Sequence, residues 1–427
     1  MTLITDLAPA AGCLLDAVPL LIDRTFPLAE RFKKKLPQSI AELSRLLTSG
    51  RGERGASYLE KPEMLQAYLR YFLPWNLYRL SRLLPGLSLE LCEGDAVTDL
   101  GSGPLTLPLA LWISRPDLRS VPLEFRCIDR AGAVLRAGRR FFAALAEFTT
   151  GAETGTPWRF KTAAAALGAP VRGKPAALVT AVNVFNELYE DLPYRDHAGL
   201  AGKTRAYAGL LCRDAESSVL VVEPGVPRAG EFIACLRTAL AEKGRLPLAP
   251  CPHAGPCPCP GGFSPGGKKT RWCHFAFDTA GAPADLHRLS AAAGIPKERA
   301  ALSFLFSGSA KRSGKTAPAA RPAETAEGGL PVRVLSDPFP VEGGNLYGRY
   351  GCSEKGLVLV RGEKSRIGAL VPGSLFTAES VAQTRAETRD RKSGAFIIDI
   401  GAAAVRTAGT AAPASFRAGP RKRRTGS

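Results

Sequence analysis

The stretch Ala96-Val-Thr-Asp-Leu-Gly-Ser-Gly-Pro104 decides the fold. Ala96 to Leu100 reads as a short strand, and Leu105 to Ser114 as an apolar helix whose Pro108 is tolerable only in its first turn. Gly101 and Gly103 lie between the two, where a glycine lets the backbone turn sharply and approach a ligand without a Cβ clash. The helix start behind them offers free N–H groups. Working outward, Leu123-Glu-Phe-Arg-Cys-Ile128 alternates like a strand and Ala133 to Phe148 follows as a helix. Ala176 to Val182 and Ser218 to Val222 are apolar runs of the kind found in buried parallel strands. Alternating strands and helices from about residue 95 to 245 predict an α/β, doubly wound sheet.

The loop chemistry narrows the ligand. The dinucleotide fingerprint GxGxxG is not met, since Gly101, Gly103 and Thr106 occupy its three glycine positions. A looser loop, with Asp99 at its start and a second acid after the next strand, suits the Rossmann-like fold that binds S-adenosylmethionine (SAM). Asp129 ends Phe125-Arg-Cys-Ile-Asp129, 26 residues beyond Gly103, where a carboxylate can accept hydrogen bonds from both ribose hydroxyls. The expected SAM contacts are Asp99, Gly101, Ser102, Gly103 and Asp129. Ligands of open α/β sheets sit at the carboxyl ends of strands. Asn183-Val-Phe-Asn186-Glu187 and Glu223-Pro-Gly225 are two more such ends, which makes Asn186 and Glu187 candidates for substrate or methionine contacts. A helix N-cap at Asn183 or Asn186 fits equally well.

The flanks read differently. Residues 1–90 are expected to be helical: Met64 to Leu73 and Trp75 to Leu84 carry apolar residues at three- and four-residue spacing, interrupted by Pro74. Arg70, Arg79 and Arg82 fall between them, on a face expected to be solvated rather than turned to RNA. The methyltransferase-like domain is expected over 91–306, with a Pro/Gly/Cys-rich insertion of little regular structure at 246–280. A flexible linker over 307–330, a small β-rich, OB-like module over 331–408 and a disordered basic tail over 409–427 complete the expectation.

Lys and Arg outnumber Asp and Glu by 57 to 39, a net charge of +18 that suits a phosphate backbone better than a small metabolite. No run of roughly 18 apolar residues occurs, so no membrane span is expected. Leu7-Ala-Pro-Ala-Ala-Gly-Cys13 loosely resembles a lipoprotein cleavage site, but it lacks a basic start and Asp6 precedes any hydrophobic core. A cytoplasmic protein is expected. Cys251, Cys257, Cys259 and Cys273 fall within 23 residues, a density that reads as a metal site in an intracellular chain. Zn²⁺, with His253 or His274 among its ligands, and an iron–sulfur cluster both fit. The Pro-Cys dipeptides also suggest the thiolate nucleophile of RNA 5-methylcytosine enzymes, though their place in a Gly/Pro insertion argues against it. Cys13, Cys92, Cys127, Cys212 and Cys235 are expected to be ordinary buried thiols.

Asp-Leu-Gly-Ser-Gly-Pro at 99–104, Asn-Glu-Leu at 186–188, Val-Glu-Pro-Gly at 222–225, the Pro-Cys-Pro-His and Cys-Pro run from 250, and Trp-Cys-His-Phe at 272–275 together resemble the mitochondrial small-ribosomal-subunit methyltransferase-like family and its bacterial relatives. The resemblance covers roughly residues 60 to 365. It implies a SAM-methyltransferase fold carrying a [4Fe–4S] cluster and acting on the small ribosomal subunit. It also implies a fourth cysteine far downstream, a position that Cys352 in Tyr350-Gly-Cys-Ser353 fits. The implied ligands are Cys251, Cys257, Cys273 and Cys352, with Cys259 as an extra thiol or substitute.

Two functions remain open at this point. One is a SAM-dependent ribosomal-RNA methyltransferase, which needs mainly positioning and few catalytic side chains. Neither an Asn/Asp-Pro-Pro-Tyr/Phe motif nor a convincing cysteine nucleophile is present. The other is a non-catalytic ribosome-assembly factor, expected as a monomer, whose charge and Lys268-Lys269-Thr-Arg271 segment hold RNA.

Overall fold

The computed structural model describes residues 2–48, 58–151, 155–169, 173–189, 192–214, 216–262, 270–309, 329–341, 346–378, 388–400 and 405–407. The N-terminal region is helical, as its periodicity predicts: α1 (Pro9–Thr25), α2 (Glu30–Leu47), α3 (Pro62–Ala67) and α4 (Leu73–Leu83). Pro74 does not interrupt the last two. The turn Tyr68–Phe72 between them is a π-helix, with the Leu73 N–H donating to the Tyr68 carbonyl. Widening that turn makes room for a ring that has no N–H and would crowd the preceding carbonyls.

The arginines of this stretch are internal struts, which corrects the solvated face expected of them. Arg70 pairs with Asp23 at 2.9 Å and donates to the Phe26 carbonyl. Arg82 pairs with Asp6 at 3.0 Å and donates to the Tyr78 hydroxyl. Arg79 donates to the Asn76 side chain at 2.9 Å. Helical spacing shows which residues share a face but not which polar partners another element brings to it. A guanidinium with five donors can be satisfied inside when they come.

The main sheet follows in chain order: β1 (Ala96–Leu100), α5 (Thr106–Ser114), β2 (Glu124–Asp129), α6 (Gly132–Thr150), β3 (Arg159–Ala164), β4 (Leu178–Val182), α7 (His197–Leu211), β5 (Ser218–Pro224), α8 (Pro227–Ala241), β6 (Arg245–Ala249), β7 (Phe275–Asp278), α9 (Ala284–Ala292) and β8 (Arg299–Ser309). Its order is β3-β2-β1-β4-β5-β8-β6, with β7 also on β8. β1 pairs in parallel with β2 and β4, and β4 with β5, whereas β8 runs antiparallel to β5, β6 and β7. All five residues of β1 and of β4 are buried, as central parallel strands require.

The predicted doubly wound α/β sheet is therefore present, as a mixed sheet. The stretch expected to be irregular, 246–280, contains most of β6 and all of β7. They are only five and four residues long and Pro247 interrupts β6, so pairing with the long β8 makes them strands.

A second sheet contains β9 (Leu330–Val334), β10 (Phe339–Pro340), β11 (Tyr347–Ser353), β12 (Gly356–Gly362), β13 (Leu375–Ala378), β14 (Phe396–Asp399) and β15 (Val405–Thr407), with α10 (Lys364–Ala369) against it. The order is β14-β12-β11-β9-β13-β15, an open path among the described residues, with β10 on β11. It docks on the rest through polar anchors: the Leu3 N–H to the Gly373 carbonyl at 3.0 Å, Arg333 to the Pro250 carbonyl at 3.0 Å, and Arg299 to Asp337 at 2.8 Å. β8 runs on to Ser309, past the expected start of the linker. Residues 310–328, the basic tail and Lys268-Lys269 lie outside the described residues. Among the described residues, no helix is long and apolar enough to cross a membrane.

Candidate nucleotide and cysteine sites

At the carboxyl end of β1 the chain leaves through Gly101 and Gly103, both in the left-handed region with φ of 64° and 54°. Gly101 is also sterically required: a Cβ there would lie 2.5 Å from Cγ2 of Val184. Asp99 is buried. Its carboxylate accepts from the Ser102 hydroxyl at 2.6 Å and the Thr180 hydroxyl at 2.7 Å. Burial pushes its pKa up to about 6 against the pull of those two hydroxyls. Asp99 and Ser102 therefore brace the loop from beneath. Neither lines the cavity above it.

Asp129 does line that cavity. One carboxylate oxygen accepts the Gly103 N–H at 2.9 Å and the other accepts the Ala131 N–H at 2.9 Å, which ties the two loops together. Each oxygen keeps a further lone pair that a ribose hydroxyl can use. The cavity measures about 400 Å³ and is walled by Gly101, Ile128, Asp129, Val184, Glu187 and Tyr207, among others. That is within the size range of small-molecule sites.

Glu187 lines the cavity. It accepts from the Tyr58 hydroxyl at 3.3 Å and lies 4.0 Å from Arg130. Tyr58 and Leu59 roof the site from the N-terminal region. Sequence reading missed both, because nothing local marks a residue whose role comes from a long-range contact. Arg130 directly follows Asp129, and that adjacency could have drawn attention to it.

Asn186 is buried and stands behind the cavity wall rather than on it. Its backbone N–H, with those of Val184 and Phe185, donates to the carboxylate of Glu223 at 2.9–3.2 Å. Glu223 is wholly buried at the end of β5, and burial pushes its pKa up to about 8 despite those three donors. Neither asparagine is a helix N-cap: Asp196 caps α7 by accepting the Gly199 N–H. Asn183 instead holds a left-handed backbone, with φ of 54°, where the chain leaves β4.

The cysteines converge elsewhere on the same edge of the sheet. Cys251, Cys257, Cys259, Cys273 and Cys352 line one largely enclosed, apolar cavity with His253, Arg237 and Arg333. Cys352 arrives on β11, so the second sheet completes the group. Arg237 donates to Cys251 at 3.2 Å, and Nε2 of His253 stands 3.3 Å from the Cys352 sulfur. Burial raises all five thiols, Cys257 to about 11 and Cys259 to about 12, and lowers His253 to about 4. The donor chemistry fits a thiolate-bound metal, with two guanidiniums to offset the charge. As folded, though, no group of three or more His, Cys, Asp or Glu side chains among the described residues is arranged to hold a metal ion. Of the other cysteines, Cys127 is buried and Cys212 and Cys235 are half-buried. Cys13 and Cys92 are exposed, contrary to expectation, because Cys13 falls on the outer face of α1 and Cys92 in the turn before β1.

Solved structures of low similarity include a SAM-dependent methyltransferase from Geobacter sulfurreducens in complex with S-adenosyl-L-homocysteine (16% identity, 52% of this chain and 72% of that one, TM-score 0.27). Another is a SAM-dependent methyltransferase from Thiobacillus denitrificans in complex with the same ligand (14%, 55% and 91%, 0.29). A third is Aeropyrum pernix fibrillarin with bound S-adenosyl-L-methionine (16%, 40% and 68%, 0.25). At such scores they carry no weight here, and the fold rests on its own strand order. No curated protein matches the chain. Residues 152–341, from β3 through the cysteine loops to β10, match the family described as mitochondrial small ribosomal subunit Rsm22, and over that span the chain is Rsm22-like.

Proposed function

We propose that this chain binds SAM in the cavity above Gly101 and Asp129 and acts on the RNA of the small ribosomal subunit as a methyltransferase. The observation that carries this reading is Asp129: one carboxylate clamps both loops and still faces the cavity. Gly101 and Gly103 allow the backbone to lie against the ligand, Asp129 accepts from the ribose hydroxyls, and Tyr58 with Leu59 limits the entry of water. SAM supplies an electrophilic methyl group, and the protein's task is to hold the acceptor in line with it. The Rsm22-like span and the charge of +18 support ribosomal RNA as that acceptor.

In this reading Cys251, Cys257, Cys273 and Cys352 hold a [4Fe–4S] cluster, with Cys259 as a neighbouring thiol. The cluster would fasten β11 to the loop after β6, a structural task. Zinc is the second reading, favoured by the imidazole of His253 beside Cys352. A non-catalytic assembly factor is the second reading of function, favoured by Asp99, Asp129 and Glu223 all being engaged in internal hydrogen bonds.

Transfer of tritium from labelled SAM to small-subunit RNA or precursor particles tests the enzyme. SAM binding without transfer leaves the assembly factor. Anaerobic purification should yield a brown protein with about four irons per chain. A colourless protein containing zinc would replace the cluster.

A further inference from the structure

Two cations stand together at this edge of the molecule, and among the described residues no carboxylate faces either. Arg79 on α4 faces Tyr68, Tyr71 and Asn76. One guanidinium nitrogen donates to Asn76, while its Nε is out of solvent with no hydrogen-bond partner. Lys297, between α9 and β8, lies over the rings of Tyr71 and Trp75 at 5.2 and 5.3 Å, and feels the charge of Arg79. Arg70 and Arg82 on the same helical stretch each have an aspartate, so the lack of one at Arg79 is local. A largely buried cation with no facing counter-charge is unfavourable unless something else supplies the charge. Burial and the neighbouring guanidinium accordingly push Lys297 down to about 7.

The position of the pair indicates what that supply would be. Lys297 lies five residues before Leu302, which pairs with Pro224 at the carboxyl end of β5. The pair thus stands on the ligand-binding edge of the sheet. A line of contacts leads back to the nucleotide loop: Gly103 packs near the Tyr68 hydroxyl, Tyr68 faces Asn76, and Asn76 accepts from Arg79. Neither cation lines the 400 Å³ cavity. Both residues are partly exposed.

We propose that Arg79 and Lys297 form an oxyanion seat for a phosphodiester of the acceptor RNA strand. The proposal rests on the RNA-directed reading above and gives it a point of attachment. With Nη1 on Asn76 and Nε out of solvent, the Nη2 group of Arg79 is the one placed to meet a phosphate oxygen, and Lys297 adds a point charge. Such an attachment fixes the register of a strand beside the methyl donor without reading its sequence.

The test uses the full chain and a labelled single-stranded RNA of small-subunit ribosomal sequence, titrated from low to high KCl. Wild type is compared with Arg79→Met, Lys297→Met, the double variant and Lys297→Arg. Each Met variant should bind RNA about tenfold more weakly. The slope of log affinity against log salt should become shallower by about 0.7 for each phosphate that is no longer neutralised. Lys297→Arg should restore most of the affinity, SAM affinity should be unchanged throughout, and Arg79→Met should melt no lower than wild type. If Arg79→Met fails to fold, Lys297→Met decides alone, since it lies in a connecting segment. Unchanged RNA affinity and salt slope in folded variants overturn the seat while leaving the RNA reading intact. Weakened SAM binding with RNA binding kept also overturns it, and assigns the pair to the carboxylate of SAM instead. Failure of the wild-type chain to bind RNA at any salt overturns both.

Discussion

Glu223 allows the most direct quantitative test of how this edge of the sheet is held. Its carboxyl group is wholly buried and accepts three N–H groups from the turn after β4, yet burial lifts its pKa from 4.5 to about 8. The sign follows from proton linkage. Between the two values the native state binds a proton that the unfolded state has released, so stability falls as pH rises through this window. Each unit of pH costs about 1.4 kcal/mol, and the whole window on the order of 5 kcal/mol. The stabilisation is fully present below the unfolded pKa, near 4.5, and is lost by about pH 8. Glu223→Gln removes the titration while leaving a carbonyl to accept part of the hydrogen bonding. Urea denaturation of both proteins from pH 5 to 8 gives the difference in stability, in which other titrating groups largely cancel. Wild type should lose stability relative to the variant by about 4 kcal/mol across that range. A difference curve that is flat, or that rises with pH, would refute the reasoning and mean that the three N–H donors outweigh burial.

Two further perturbations separate the roles of the loop. Gly101→Ala places a Cβ 2.5 Å from Val184 in a left-handed backbone, and should destabilise the fold by about 2–4 kcal/mol in urea denaturation and weaken SAM binding by calorimetry; unchanged melting and affinity would contradict it. Asp129→Ala should weaken SAM binding at least tenfold with only a modest loss of stability, whereas Asp99→Asn, beneath the loop, should act chiefly through folding; equal effects of the two on SAM at equal stability would show that the loop is not divided in this way.

How much of this was legible in the sequence depended on whether a signal was local. β1, β2, β4 and β5 each announced themselves as a short apolar or alternating run, and Gly101-Ser-Gly103 with Asp129 marked where a ligand could lie. β3 did not: Arg159 to Ala164 is an exposed edge strand whose one large apolar residue is Phe160, too little for an alternating or buried-strand pattern. β6 and β7 were hidden by the prolines and cysteines around them and are strands only because β8 pairs with both. Asp99 was expected to meet the ligand because it is the acid that opens the glycine loop at the carboxyl end of β1. Its neighbours Ser102 and Thr180 instead take both carboxylate oxygens and turn the group inward. Tyr58 could not be found from its surroundings in sequence, since the cavity that it roofs is made 43 to 152 residues downstream.

The two cavities share a structural logic that bears on what the cysteines do. The nucleotide cavity is assembled from consecutive strand ends of one sheet, with Tyr207 and Leu210 of α7 and, from the N-terminal region, Tyr58 and Leu59. The cysteine cavity is assembled from two sheets: Cys251 follows β6, Cys273 precedes β7, and Cys352 lies on β11. Arg333 on β9 reinforces the same junction by donating to the Pro250 and Gly373 carbonyls, at 3.0 and 2.8 Å. A buried guanidinium whose donors meet backbone carbonyls rather than a carboxylate keeps its full charge. Arg237, likewise bonded to the His253 and Gly255 carbonyls, adds a second such charge on the other side. Two guanidiniums against five raised thiols form an arrangement that gains when some of those thiols ionise, and ionisation is what a metal requires of its ligands. The thiols would therefore give up protons on loading, and the gain would be spent at the junction of the two sheets. On this argument, replacing Cys352 should loosen the second sheet before it disturbs the nucleotide cavity.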